Sequence, residues 1–148
     1  MIDLQPKIAM VADWARAIRK AGGYLTDIGA SVVTERVGGN GDDNVVLVGV
    51  FLSDLTPLKT TPQRRDWQFD IAIEARVPVS FKTAEAQTLA VIEDMVKCIP
   101  TKKATANDNL ATLEISGTDI NRQPDGVPYI VVSVTVRGTC YEFISQPA

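Results

Sequence analysis

Three groupings of carboxylates could in principle bind a metal or share a proton: Asp42-Asp43 in "GGNGDDN", Glu93-Asp94, and Asp70 with Glu74 four residues on. None reads as a reactive site. "GGNGDDN" lacks the alternating oxygen ligands and the closing glutamate of a calcium loop. It is also no phosphate cradle, because no Lys-Ser/Thr pair and no helix follow its glycines. Glu93-Asp94 falls on a helical stretch and reads as a solvated face. Asp70 and Glu74 alternate too regularly with Arg76 for a proton-sharing dyad, and cross-strand charge pairing is the simpler use. The chain contains no histidine. That removes the commonest general base and metal ligand, and with it any Ser-His-Asp or Cys-His site within one chain. Cys98 and Cys140 have no metal-ligand spacing and no basic neighbour to hold a thiolate, so they read as small buried hydrophobes. The basic doublets Arg64-Arg65 and Lys102-Lys103 fall in loops. They are surface charge, or a contact for an acidic protein or a phosphate backbone. The expectation is a protein with no catalytic residues, no cofactor and no metal.

With 148 residues, 45% of them hydrophobic and 22% charged, the chain suits a single domain spanning residues 1–148. A domain of this size buries roughly 70% of its unfolded surface, enough for one core. A net charge of −3 argues against a dedicated nucleic-acid binder. No apolar run is long enough to cross a bilayer. "MIDLQPKIAM" lacks the basic-then-apolar pattern of a signal peptide. The expectation is a cytoplasmic protein with reduced thiols.

The elements that must position these residues follow from periodicity. Leu4, Ile8, Val11, Ala15 and Ile18 recur at helical spacing, with Asp3 as cap, Arg16, Arg19 and Lys20 in the last turns, and Gly22-Gly23 as terminator. "SVVTERV" predicts a first strand and "VVLVGVFL" a central one. "SDLTPLKTTPQRR", residues 53–65, predicts a long loop or extended arm. "DWQFDIAIEARVPVS", residues 66–80, alternates cleanly. Trp67, Phe69, Ile71, Ile73, Ala75, Val77 and Val79 share one face, while Gln68, Asp70, Glu74 and Arg76 share the other. A second helix begins at Thr83, with Ala86, Leu89, Ile92, Val96 and Ile99 as its apolar stripe and Pro100 as its stop. "LATLEISG" and "YIVVSVTVRGTCYEF" predict two closing strands joined through a turn at Asp125-Gly126, with a bulge at Gly138 where the apolar parity shifts toward Tyr141 and Phe143. The order α-β-β-β-α-β-β predicts an α+β fold: a mainly antiparallel or mixed sheet with both helices packed on one face.

This layout resembles one family. A leading helix ends in Gly-Gly and "YLTDIGASVVTERV". A hydrophobic strand then runs into a Pro/Thr-rich segment, and "RRDWQFDIAIEARVPVSFKTAEAQTLAVIEDMVKCI" passes from strand into an alanine-rich helix before a closing hairpin. Over residues 4–143 the chain resembles the tail terminator, or tail completion, proteins of long-tailed bacteriophages and their Mu-like relatives. The resemblance implies a non-enzymatic virion protein, assembled in the host cytoplasm as a homo-oligomeric ring, usually a hexamer. Such a ring caps the head-proximal end of the tail tube, stops its growth and offers a surface to neck or head–tail connector proteins. It implies as partners other copies of the chain, the tail tube protein and the neck proteins, with transient contact to DNA passing through the lumen and none to a membrane. On that reading the arm docks on a neighbour or on the tube. Leu55 and Leu58 are its apolar anchors, and Arg64 and Arg65 its polar rim. Gln68, Asp70, Glu74 and Arg76 line a subunit boundary or the lumen, a solvated sheet face being the alternative. Two other functions share the layout: a different neck or tube ring protein, and a small α+β ligand-binding domain.

Overall fold

The computed structural model describes residues 2–35, 45–79, 82–100, 110–122 and 128–144. The loop carrying Asp42-Asp43, the Lys102-Lys103 doublet and the Asp125-Gly126 turn lie outside the described residues. The chain forms α1 (Leu4–Arg16), β1 (Val32–Val33), β2 (Leu47–Thr60), β3 (Arg64–Pro78), α2 (Ala84–Lys97), β4 (Leu110–Asn121) and β5 (Tyr129–Phe143). The five strands make one sheet in the order β1-β2-β3-β5-β4. β1 runs parallel to β2, and every other neighbouring pair is antiparallel. The fold is α+β, in the element order that the periodicities predict.

Both helices cover the same face of the sheet. Phe69, Ile71, Ile73, Ala75 and Val77 of β3 are fully buried there, in one cluster with Val11 and Ala15 of α1, Val91 and Met95 of α2, and Val132, Val134 and Val136 of β5. Each of the buried Val, Ile, Phe and Met side chains contributes on the order of 1.5–3 kcal/mol, and each alanine about 1. The alternation in 66–80 is therefore read correctly, except that Val79 lies past the strand end and is exposed. The strands outrun the helices. At about 1.5 Å per helical residue and 3.3 Å per strand residue, helices of 13 and 14 residues span about 20 Å, and strands of 14 and 15 residues nearly 50 Å.

Five local expectations need correction. α1 stops at Arg16, not at Gly22-Gly23, so Arg19 and Lys20 lie beyond it. Ile18 leaves the helix to enter the core, and its carbonyl accepts the N–H of Gly29 at 3.0 Å. Gly29 must be glycine, since a Cβ there would stand 2.4 Å from the Arg16 carbonyl oxygen. Asp3 precedes the helix in a left-handed conformation (φ 61°) and makes no side-chain cap. Instead Lys7 Nζ donates to the carbonyls of Ile2 and Asp3, at 2.7 and 3.2 Å. "SVVTERV" yields only the two residues of β1.

The fourth correction is to residues 53–65, which are not a loop. β2 and β3 form one long hairpin with its turn at residues 61–63. The turn closes through Thr61 N–H to the Arg64 carbonyl (2.7 Å) and Arg64 N–H to Thr61 Oγ1 (3.0 Å). Ile144 N–H donates to the Gln63 carbonyl at 2.9 Å and fastens the tip to β5. Prolines argue against a central strand, but Pro57 sits where β2 has no described outer neighbour, so its missing N–H breaks no ladder bond on that side. The fifth is Gly138. The β3–β5 register runs without a shift from Arg64↔Phe143 to Pro78↔Tyr129, so Tyr141 and Phe143 keep the parity of Arg137. The irregularities are in β4, between Leu110 and Leu113 and between Ile115 and Gly117. Gly138 is glycine because the Phe69 ring lies on it: an added Cβ would be 2.5 Å from Phe69 Cζ.

Candidate interaction surface

The face of the sheet away from the helices carries Asp54, Gln68, Asp70, Glu74 and Arg76, together with Tyr129, Arg137 and Tyr141 of β5, which the register brings alongside. Among the described residues no helix packs on it. It is nonetheless not a freely solvated layer. Asp70 is only 8% exposed, and Arg137 directly opposite donates to both of its oxygens, at 2.8 and 3.0 Å. That carboxylate raises the Arg137 guanidinium pKa above its ordinary value, through the hydrogen bond first and charge second. Arg76 Nε lies 3.7 Å from Glu74, and its guanidinium is 5.7 Å from the centre of the Tyr129 ring. Arg64 forms a two-point contact to Asp66 at 2.7 and 3.3 Å, and stacks 4.8 Å from the Tyr141 ring centre. The face is thus a plane of short-range ion pairs and cation–π contacts that lock side chains in place.

The arm divides between the two faces. Leu55 lies opposite Phe69 and packs, half-buried, against the chain's own core. Arg65 points the same way and pairs with Glu142 at 3.1 Å, the carboxylate also accepting Trp67 Nε1–H at 3.1 Å. Leu58 falls at the register shift between Pro57 and Lys59 and is 53% exposed. On β5, opposite Arg64, Phe143 is 73% exposed. Of the residues singled out from sequence, Arg64, Gln68, Asp70, Glu74 and Arg76 share one surface. Leu55 and Arg65 face the other way, and Leu58 stands at the β2 edge.

Most of helix α2 turns a different side to the sheet than its sequence stripe predicts. Thr88, Val91, Asp94 and Met95 are buried, whereas Ala86, Leu89 and Val96 are exposed; of the predicted stripe, Ile92 is half-buried against the core and Ile99, just past the helix, is buried in it. The helix is apolar on two sides, and tertiary contacts choose between them. The choice follows Asp94, which is not on a solvated face. At 1% exposure its carboxylate accepts Leu25 N–H (3.0 Å), Thr26 N–H (2.8 Å) and Thr26 Oγ1–H (2.7 Å). Thr88 satisfies its own hydroxyl on the Ala84 carbonyl at 2.7 Å. Lys97 adds a bond to the Gly23 carbonyl at 2.9 Å and sits 4.9 Å from the Tyr24 ring centre. The 23–26 turn is therefore strapped to α2 by polar contacts. The spacing 91, 94, 95, 98 was the signal in the sequence, with Asp94 in the middle of an apolar set.

Beside this strap lies a groove of about 570 Å³ lined by Leu25, Ile92, Glu93, Val96, Lys97 and Thr118 of β4. A second, about 1140 Å³, runs along the start of α1 past Thr34, Glu35 and Glu142. Among the described residues no three of His, Cys, Asp and Glu converge as metal ligands, and no helix is long and apolar enough to cross a membrane. Both thiols are buried and free. Burial, reinforced by the Asp94 carboxylate, pushes Cys98 up to about 12, and its Sγ–H donates to the Met95 carbonyl at 3.1 Å. Burial likewise raises Cys140. Both therefore stay neutral thiols at neutral pH. Among the described residues the surface also carries an exposed hairpin tip, an exposed flank of α2, and the sheet edges β4 and, beyond β1, β2. Neither protein-family models nor curated proteins match this chain.

Proposed function

We propose that this chain is a structural ring subunit of the tail-terminator type, which closes into a homo-oligomeric ring on the head-proximal end of a phage tail tube, ends tube growth and receives the neck proteins. The observation that carries this reading is the alternation of the four long strands. β4 is one edge of the sheet. At the other edge β1 shields β2 only at Val48 and Gly49. β2, β3, β5 and β4 alternate in direction, so β4 runs antiparallel to β2. Rotation about an axis along the strands then sets β4 of one copy beside β2 of the next as an antiparallel pair, a head-to-tail contact that repeats until the ring closes. Bulges at 52–54 and 57–59 in β2 and at 110–113 and 115–117 in β4, with Pro57, keep these edges from pairing with arbitrary strands.

The helix-free face suits a lumen. Its carboxylates Asp54, Asp66, Asp70, Glu74, Glu114 and Asp119 outnumber its cations Lys59, Arg64, Arg76 and Arg137. DNA passing such a surface is repelled, not held. The test is electron microscopy of the purified protein, alone and on tube ends. Single closed rings that stop tube growth support the reading. Filaments growing from this chain alone refute it in favour of a tube subunit, and a protein that forms no ring on tube ends refutes it altogether.

A further inference from the structure

We infer that β4 of one copy pairs with β2 of the next residue for residue, Thr118 to Leu113 against Val50 to Leu55, and that the neighbour's Phe51 ring closes over Gly117. The inference rests on the ring reading and gives its seam a register. The two free edges match one another. From the row of Phe51, Ala72, Thr135 and Gly117 to the row of Asp54, Asp70, Arg137 and Glu114, the inner strands β3 and β5 each advance two residues, and the outer strands β2 and β4 each advance three. Both edges therefore carry an extra residue at the same height. Neither fits a regular strand there. Each fits the other without a shift, because rotation about an axis along the strands leaves every row at its own height. Nearer the tip each edge gains one more residue, between Pro57 and Lys59 and between Leu110 and Leu113. The hydrogen-bond ladders agree as well. Four alternating strands bring the two outer edges to the same phase, so two residues in one row both turn their N–H and C=O groups inward or both outward.

Side chains in one row share a face, so Phe51 and Gly117 both stand on the helix-free side. A Cβ added at Gly117 would meet nothing within 4 Å. Phe51 is half-buried on an edge that β1 leaves open beyond Gly49. The chain already makes this pairing once, where the Phe69 ring covers Gly138 directly opposite it. A glycine within a strand marks a close approach, and an aromatic side chain across from it supplies the missing contact. On the helix side the same register sets Leu55 beside Leu113 and continues the apolar layer from copy to copy. The only charged pair in the stretch is Asp54 with Glu114, and it opposes the seam.

The experiment is disulfide trapping between copies, in solution and on tube ends, read on non-reducing gels. Cys98 and Cys140 are buried and stay out of the exchange. Asp54→Cys with Glu114→Cys in one chain should give a ladder of cross-linked species that ends at the ring size. Thr56→Cys with Glu114→Cys, two residues out of register, should give about tenfold less, since only directly opposed Cβ atoms come near disulfide distance. Sedimentation gives an independent reading by charge. Asp54→Lys should tighten association about fivefold by facing Glu114, and Asp54→Lys with Glu114→Lys should return it to the wild-type level. Gly117→Val enters open space in the subunit, so it should keep the wild-type melting curve and lose ring formation. Rings in which the Thr56 pair cross-links as well as the Asp54 pair, or in which neither does, refute this register and leave the ring reading standing, as does an Asp54→Lys variant that associates more weakly. A wild type that forms no ring in solution or on tube ends refutes both.

Discussion

Replacing Asp94 tests the strap that fixes α2. In Asp94→Ala the N–H of Thr26, its hydroxyl and the N–H of Leu25 lose their acceptor together. Thr26 is 4% exposed, so water cannot easily replace the lost bonds. Each hydrogen bond to a charged group is worth about 1.5–3 kcal/mol, and leaving a buried donor unpaired costs about 1–3. The three share one carboxylate and are not additive. The loss expected is therefore about 3–5 kcal/mol, which lowers the melting temperature by on the order of 10–15 °C in a domain of this size. Asp94→Asn keeps an acceptor but turns an amide N–H₂ toward a donor, and should fall between Asp94→Ala and the wild type. Glu93→Ala, one residue away and exposed, should stay within about 0.5 kcal/mol. The assay is urea unfolding followed by circular dichroism. If Asp94→Ala and Glu93→Ala unfold at the same midpoint, the strap contributes nothing and the orientation assigned to α2 is wrong.

Other outcomes follow from the same geometry. Gly138→Ala should destabilise by about 1–3 kcal/mol in thermal melts, because its Cβ enters the Phe69 ring; Phe69→Leu in the same chain should recover part of that loss. Asp70→Ala should cost only about 1 kcal/mol in urea unfolding, since the stranded Arg137 is 41% exposed and reaches water. Ile71→Asp, its fully buried neighbour, should cost more than about 3; equal costs would overturn the assignment of the two sheet faces. Cys98 holds its proton in the folded state up to about 12 and, once unfolded, releases it near its ordinary value of 9.0. Above that ordinary value the unfolded chain binds fewer protons, so stability falls as pH rises from about 9 to 12, by at most about 1.4 kcal/mol per pH unit. Cys98→Ala should remove that part of the slope in unfolding titrations, and the native thiol should resist alkylation at pH 8.

Local pattern alone determined a good deal of this protein. The two-residue period of 66–80 names the face of β3 that lies under the helices, because a strand's side chains alternate whatever it pairs with. The α1 stripe at Val11 and Ala15 and the order of elements were legible for the same kind of reason. Tertiary structure decided what local pattern leaves degenerate. α2 is apolar on two sides, and the 25–26 turn, with donors that need a buried acceptor, selected the side bearing Asp94. Residues 53–65 look like a loop because of Pro57 and Pro62. Residues 53–60 become strand because β3 supplies a partner along one side and no described strand flanks them on the other, while Pro62 falls in the turn at 61–63. The pairing of Asp70 with Arg137 spans 67 residues of sequence, and only the β3–β5 register sets them opposite one another. Periodicity is a property of a segment, whereas the choice between faces, the pairing of charges and the tolerance of a proline belong to what the segment meets.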